Sequence, residues 1–141
     1  MKRVISLLLA MVMSFGLSVS ASAVELEQNP IMPRYTYIAS TLTDIYIEES
    51  TNISSSEAFF VAYDQTLELQ IELKLQRYNN SKWNTVKTWT SSGYGEAYIR
   101  KDWAVPSGYT YRAYATFKVY DSNGNLIESV SHYDSQNFPA Q

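Results

Sequence analysis

Strict alternation of apolar and polar side chains over two twelve-residue runs constrains this chain more than any other feature. In residues 67–78, Leu67, Leu69, Ile71, Leu73 and Leu75 share one parity, and Glu68, Gln70, Glu72, Lys74 and Gln76 share the other. In a strand, successive side chains point to opposite faces, so this is the pattern of a half-buried strand. Leu, Glu, Gln and Lys favour helix by local propensity. A helix, however, would scatter the four leucines and the isoleucine around its whole circumference, so the alternation decides for strand. In residues 109–120, Tyr109, Tyr111, Ala113, Ala115, Phe117 and Val119 oppose Thr110, Arg112, Tyr114, Thr116, Lys118 and Tyr120. Here β-branched and aromatic residues make propensity agree with pattern.

Turn signals recur about every ten residues around these runs, the spacing of an all-β chain. Asp121-Ser122-Asn123-Gly124-Asn125 predicts a hairpin into a strand over 126–133, because Asn and Gly tolerate positive φ. Strands are also expected over 35–40, 44–48, 58–63, 83–90 and 96–103. Phe59, Val61 and Tyr63 are expected to point inward in the third of these. Turns are expected at Asn79-Asn80-Ser81-Lys82 and Ser91-Ser92-Gly93-Tyr94-Gly95. Seven or so short strands in meander order predict an antiparallel β-sandwich over residues 35–138, with a single closed barrel as the alternative.

The N-terminus reads as an export signal. Lys2 and Arg3 precede an apolar run from Val4 to Val19, and Ala21-Ser22-Ala23 supplies small residues for cleavage, so residues 1–23 are expected to be removed. Residues 24–34, with Pro30 and Pro33, read as an extended or disordered leader. The expected product is secreted and extracellular, with no membrane segment in its mature form. The chain has no cysteine, which excludes a disulfide scaffold, a zinc–thiolate site and a Cys nucleophile. A cysteine-free export also suits a bacterial, Gram-positive host that does not rely on oxidative folding. The formal charge of −3 disfavours nucleic acid and other polyanions as partners.

The stretch 67–130 resembles the second half of a fibronectin type III module. The resemblance rests on the alternating strand, the turn at Asn79–Lys82, the Trp strand Trp83-Asn84-Thr85-Val86, and the approach Pro106-Ser107-Gly108-Tyr109-Thr110-Tyr111-Arg112. It implies an immunoglobulin- or fibronectin type III-like sandwich in which Tyr111 is the corner tyrosine, its hydroxyl bonded to backbone just upstream. The first half departs from that pattern: Phe59-Phe60-Val61 stands where the module carries a Trp on its second strand.

The chain also resembles a family of small exported proteins of Clostridia-type bacteria that carries no assigned function. The residues in question are Tyr37-Ile38-Ala39-Ser40, Leu75-Gln76-Arg77, Trp83 with Thr85-Val86-Lys87-Thr88-Trp89, Tyr111-Arg112, Val119-Tyr120, Gly124 and Glu128-Ser129. This second resemblance implies a secreted β-sandwich and no activity.

Material for catalysis is thin. His132 is the sole histidine, so any Ser-His-Asp arrangement needs it. Ser129, Ser131 and Asp134 are near in sequence, but adjacent strand residues face opposite ways. No Gly-x-Ser-x-Gly elbow exists, and His132 is expected at the surface. Asp121, Asn123, Asn125 and Glu128 resemble a calcium loop only loosely, since Glu128 comes too early for the EF-hand spacing; a plain turn explains them. Glu48-Glu49 and the Glu68/Glu72 pair read as solvated carboxylates rather than a glycosidase pair. Asn52-Ile53-Ser54 matches a glycosylation sequon by chance. No catalytic, metal-binding or cofactor-binding residue is therefore assigned.

Aromatics are the one unusual resource, with three Trp, twelve Tyr and five Phe, or 14% of the chain. Phe59, Phe117 and Tyr111 fall on apolar faces and are expected in the core, while Tyr78, Tyr114 and Tyr120 fall on polar ones. Trp83 and Trp89, six apart, are expected to share a face. Exposed Tyr and Trp give stiff contact area with a polar tip, which suits a protein or a sugar ring. Trp83, Trp89, Tyr94, Tyr98, Tyr114 and Tyr120 are the candidate ligand contacts. The expected function is a non-catalytic module contacting a protein or cell-envelope component. The alternative is a carbohydrate-binding module, which needs a planar row of rings.

Overall fold

The computed structural model describes residues 34–141; the expected signal peptide and all of the leader but Arg34 lie outside the described residues. Seven antiparallel strands follow in chain order: β1 Ile38–Glu48, β2 Ile53–Ala62, β3 Glu68–Asn79, β4 Lys82–Tyr94, β5 Glu96–Ala104, β6 Tyr109–Tyr120 and β7 Leu126–Phe138. They form two sheets, one in the order β1-β2-β5 and the other β4-β3-β6-β7. The two sheets pack face to face, an immunoglobulin/fibronectin type III-like sandwich rather than a closed barrel.

The two alternating runs supply the centre of the larger sheet. Leu69, Ile71, Leu73 and Leu75 of β3 lie opposite Val119, Phe117, Ala115 and Ala113 of β6, and all eight are fully buried. From the facing sheet Phe60 meets Phe117 edge-on, with ring centroids 5.2 Å apart. At the base of β6 the Tyr111 hydroxyl donates to the Pro106 carbonyl oxygen at 2.7 Å, the corner bond implied by the fibronectin type III resemblance. Burial pushes the Tyr111 hydroxyl pKa above its usual value, with the Arg77 guanidinium acting in the opposite sense.

Three local expectations are corrected. β2 turns Ser54, Ser56, Ala58, Phe60 and Ala62 inward, so Phe59 and Val61 are only half-buried and Tyr63 is exposed. Apart from Phe60, the inward face of β2 carries small residues, set against the leucines and Phe117 of the other sheet. The two short strands expected over 35–48 are one, with Ala39 as an extra residue between Ile38 and Ser40 in the β1–β2 register. The turn expected at residues 91–95 is mostly strand: β4 runs to Tyr94 and β5 begins at Glu96. Gly95 alone carries the chain from one sheet to the other, at φ 70° and packed so closely on Gln65 that a side chain would collide.

The two sides of the sandwich differ. On one side, β1 and β7 run in the same direction, and polar side chains of β7 bond N–H groups of β1 and of the two residues before it. Glu128 accepts from Thr36, Tyr37 and Ile38 at 2.8–3.0 Å, Asp134 from Ile45 at 3.2 Å, and Gln136 from Ile47 at 2.8 Å. An edge strand left with unpaired donors invites foreign strands, and these side chains occupy the donors. On the other side β4 and β5 are both edge strands, with no strand paired to their outer edges among the described residues.

Candidate functional site

The outer face of the four-stranded sheet carries the densest group of accessible aromatics. Side chains of even number on β3 and β6 point to it, and register places Tyr114 between Lys74 and Tyr133, and Arg112 between Gln76 and Ser135. Arg112 is the centre of the group. Its guanidinium carbon lies 4.3 Å from the centroid of the Trp83 ring, 5.0 Å from that of Tyr114 and 5.1 Å from that of Tyr133. Each is within cation–π range. The Arg112 Nε donates to Gln76 Oε1 at 2.8 Å, and Gln76 Nε2 donates to Thr85 Oγ1 at 3.1 Å, so three strands position one cation. Tyr78 extends the group, its ring 5.2 Å from Trp83 and tilted 57° to it. Tyr133 and Tyr78 are 61% and 45% exposed, so the rim of the group is open to solvent.

Beside this group Lys74 pairs with Glu72 at 2.9 Å, and that hydrogen bond holds the Glu72 carboxyl below its ordinary pKa. No carboxylate lies within ion-pair distance of Arg112 among the described residues. What the arrangement offers is a cation held among three rings, with only its Nε–H taken up by Gln76, next to exposed tyrosines. A guanidinium in that setting suits planar recognition of a carboxylate or a backbone carbonyl.

The six residues expected as ligand contacts do not converge. Trp83 and Tyr114 meet at Arg112. Tyr94 and Tyr120 stand at the far end of the same face, on either side of Glu68, and the Tyr120 hydroxyl reaches Gln70 at 3.4 Å. Trp89 is on the opposite face. Leu75 pairs with Lys87 and Gln76 with Thr85, so Val86 is an extra residue in β4, and this bulge reverses the parity between the two tryptophans. Trp89 therefore lies opposite Leu73, packs on the core and meets Trp103 at 6.3 Å. Tyr98 lies on the outer face of the three-stranded sheet, in a row with Phe59 and Leu42. Sequence reasoning missed Arg112 and Tyr133. The available signal was the register, which sets Tyr133 directly across from Tyr114.

His132 is not at the surface as expected. It points inward from β7 opposite Ala115, its ring 6.2 Å from that of Phe117, and its Nε2 is buried without a partner. Ser131 points the other way and shares a hydrogen bond with Thr116, while Asp134 is taken up by the Ile45 N–H. The Asp121 carboxylate accepts from the Asn123 and Asn125 backbones at 2.9 and 2.8 Å and from the Asn125 side chain at 3.1 Å, as a turn-capping group does. Among the described residues no group of three His, Asp or Glu side chains is placed to hold a metal ion, and no helix is long and apolar enough to cross a membrane.

No protein-family model matches the chain, and no curated protein matches it significantly.

Proposed function

We propose that this protein is a secreted, non-catalytic β-sandwich of bacterial origin that contacts a protein or cell-envelope component through the Arg112 face of its four-stranded sheet. The observation that carries this reading is the placement of one guanidinium within cation–π distance of Trp83, Tyr114 and Tyr133 on an accessible face. Trp, Tyr and Arg are the residue types that dominate binding energy at protein interfaces. Such rings lose little conformational entropy on contact, and Arg112 is already held by Gln76 before any partner arrives. Export is supported by the basic, apolar and small-residue order of residues 1–23.

The carbohydrate-binding alternative draws less support. Stacking on a sugar needs open ring faces in one plane, but a face of Trp83 is covered by Arg112, and Trp89 faces the core. The test is affinity capture from cell walls and culture supernatant with the parent chain and with an Arg112→Ala/Tyr133→Ala variant. A specific protein held by the parent and lost from the variant is the expected result. A partner held equally by both, or sugars that quench tryptophan fluorescence on a glycan panel, would overturn the assignment.

A further inference from the structure

The sandwich turns two unlike sheet faces to solvent, on opposite sides of the molecule. On the outer face of the three-stranded sheet, Leu42, Phe59 and Tyr98 form one apolar row across β1, β2 and β5, with Leu42 48% and Tyr98 51% exposed. Asp44 and Glu57 stand beside this row on one side and Glu96 on the other. Register and burial put Glu48 and Asp102 on the same face, with Arg100 as its one cation among the described residues. None of these carboxylates makes an ion pair among the described residues. On the outer face of the four-stranded sheet the sign reverses. Arg112, Lys74 and Lys118 share that face with Glu68 and Glu72, and Lys74 pairs with Glu72. Arg112 and Lys118 are left without a carboxylate partner among the described residues.

We propose that the Arg112 face of one copy takes the acidic outer face of a second copy, so that molecules stack head to tail. The inference rests on the Arg112 face being the contact surface of this protein, and it names the partner. Charge selects a second copy, because the two faces carry opposite net charge, whereas pairing like with like brings together faces of the same sign. Chemistry selects it too. One face offers rings and a guanidinium with donors to spare, and the other offers an apolar row flanked by unpaired carboxylates. Both are antiparallel sheets, which pack on one another face to face. Since the two faces lie on opposite sides, each contact leaves a free face at either end, and assembly continues past the dimer. The smaller face limits each contact. Three strands about 4.8 Å apart and about ten residues long, at about 3.3 Å each, give roughly 480 Å² per copy. Contacts of that size are weak and reversible.

The test is sedimentation velocity of the chain from about 10 µM to about 500 µM, the range in which weak contacts fill. The parent is expected to grow past the dimer as concentration rises, and less so in about 0.5 M salt, which screens exposed charges. Arg112→Ala/Tyr133→Ala removes one face and Asp44→Lys/Glu96→Lys the other, and each variant alone should associate about tenfold more weakly. Asp44, Glu96 and Tyr133 are exposed, so both variants are expected to keep the melting temperature of the dilute parent. Should one melt early, the other and the salt dependence still decide. Mixed in equal amounts, the two variants keep one intact face each and should form a one-to-one pair and nothing larger. A parent that stays monomeric, a parent that stops at the dimer, growth that survives either variant, or a mixture that does not pair would each overturn the proposal. A monomeric parent that still captures a different protein through Arg112 and Tyr133 would overturn the choice of partner alone. Growth that survives Arg112→Ala/Tyr133→Ala would count against the Arg112 face as well.

Discussion

The Tyr111 hydroxyl and the Pro106 carbonyl oxygen, 2.7 Å apart, close the loop that carries the chain from the three-stranded sheet to the four-stranded one. The ring itself is fully buried, and Arg77 lies over the neighbouring Tyr109 ring at 4.6 Å. Tyr111→Phe keeps the packing and removes only the hydroxyl. It should cost about 0.5–1.5 kcal/mol, the net worth of one such bond. Urea unfolding checks this as a lowered midpoint with an unchanged slope.

The orientation of β2 gives a paired test. Phe60→Ala should destabilise by about 3–5 kcal/mol, because a fully buried ring leaves a cavity against Phe117. Phe59→Ala, on the outer face, should cost clearly less. Ile71→Ala, in the middle of the inward face of β3, is expected at about 2–5 kcal/mol. Equal losses at positions 59 and 60 in thermal unfolding would contradict the assigned face.

A double-mutant cycle on Arg112 and Trp83 should return a coupling of about 0.5–1 kcal/mol, the usual size of a solvent-accessible cation–π contact. Arg112→Ala should also change the emission of Trp83, read in a Trp89→Phe/Trp103→Phe background. A coupling of zero would mean that the ring and the guanidinium are neighbours without interaction.

The β6–β7 turn should respond to acid. Backbone hydrogen bonding from Asn125 leads the effects that hold the Asp121 pKa below its ordinary 3.8, so folding favours the ionised form. The contribution is therefore complete above the unfolded value and is lost as pH falls through the lower, folded one. Amide shifts of Asn123 and Asn125 should titrate together with a midpoint under 3.8. Asp121→Asn should abolish that titration while leaving the turn in place.

Gln136→Ala should leave the Ile47 N–H without its acceptor, and Glu128→Ala should do the same for Thr36, Tyr37 and Ile38. Faster hydrogen exchange at those amides, confined to β1 and the two residues before it, is the expected readout.

How much of this was legible depended on how strongly each segment constrains itself. β3 alternates from Leu69 to Gln76 and β6 along its whole inward face, and a half-buried strand in the middle of a sheet is the reading this pattern favours. The corner at Tyr111 was legible through a spacing shared with the fibronectin type III module. β2 was not, since Phe59 and Phe60 are adjacent and equally apolar. Which one turns inward depends on the volume left by leucines from the other sheet. Nor could the bulge at Val86 be read, because an extra residue in one strand is defined only against its partner. That one residue separated Trp83 from Trp89 and thereby divided the expected aromatic row. The Arg112 group arises from register across four strands, so no local window contains it.

The seam between β1 and β7 also determines how the molecule answers a pull. These strands lie near the two ends of the described chain and point the same way, so tension applied through Arg34 and Gln141 slides one along the other. The bonds from Glu128, Asp134 and Gln136 to the β1 backbone are then loaded in shear, and several must break together rather than one at a time. Forced unfolding is governed by the rate of crossing that barrier rather than by equilibrium stability. A sandwich without disulfides thereby gains a mechanical clamp from three polar side chains on one edge.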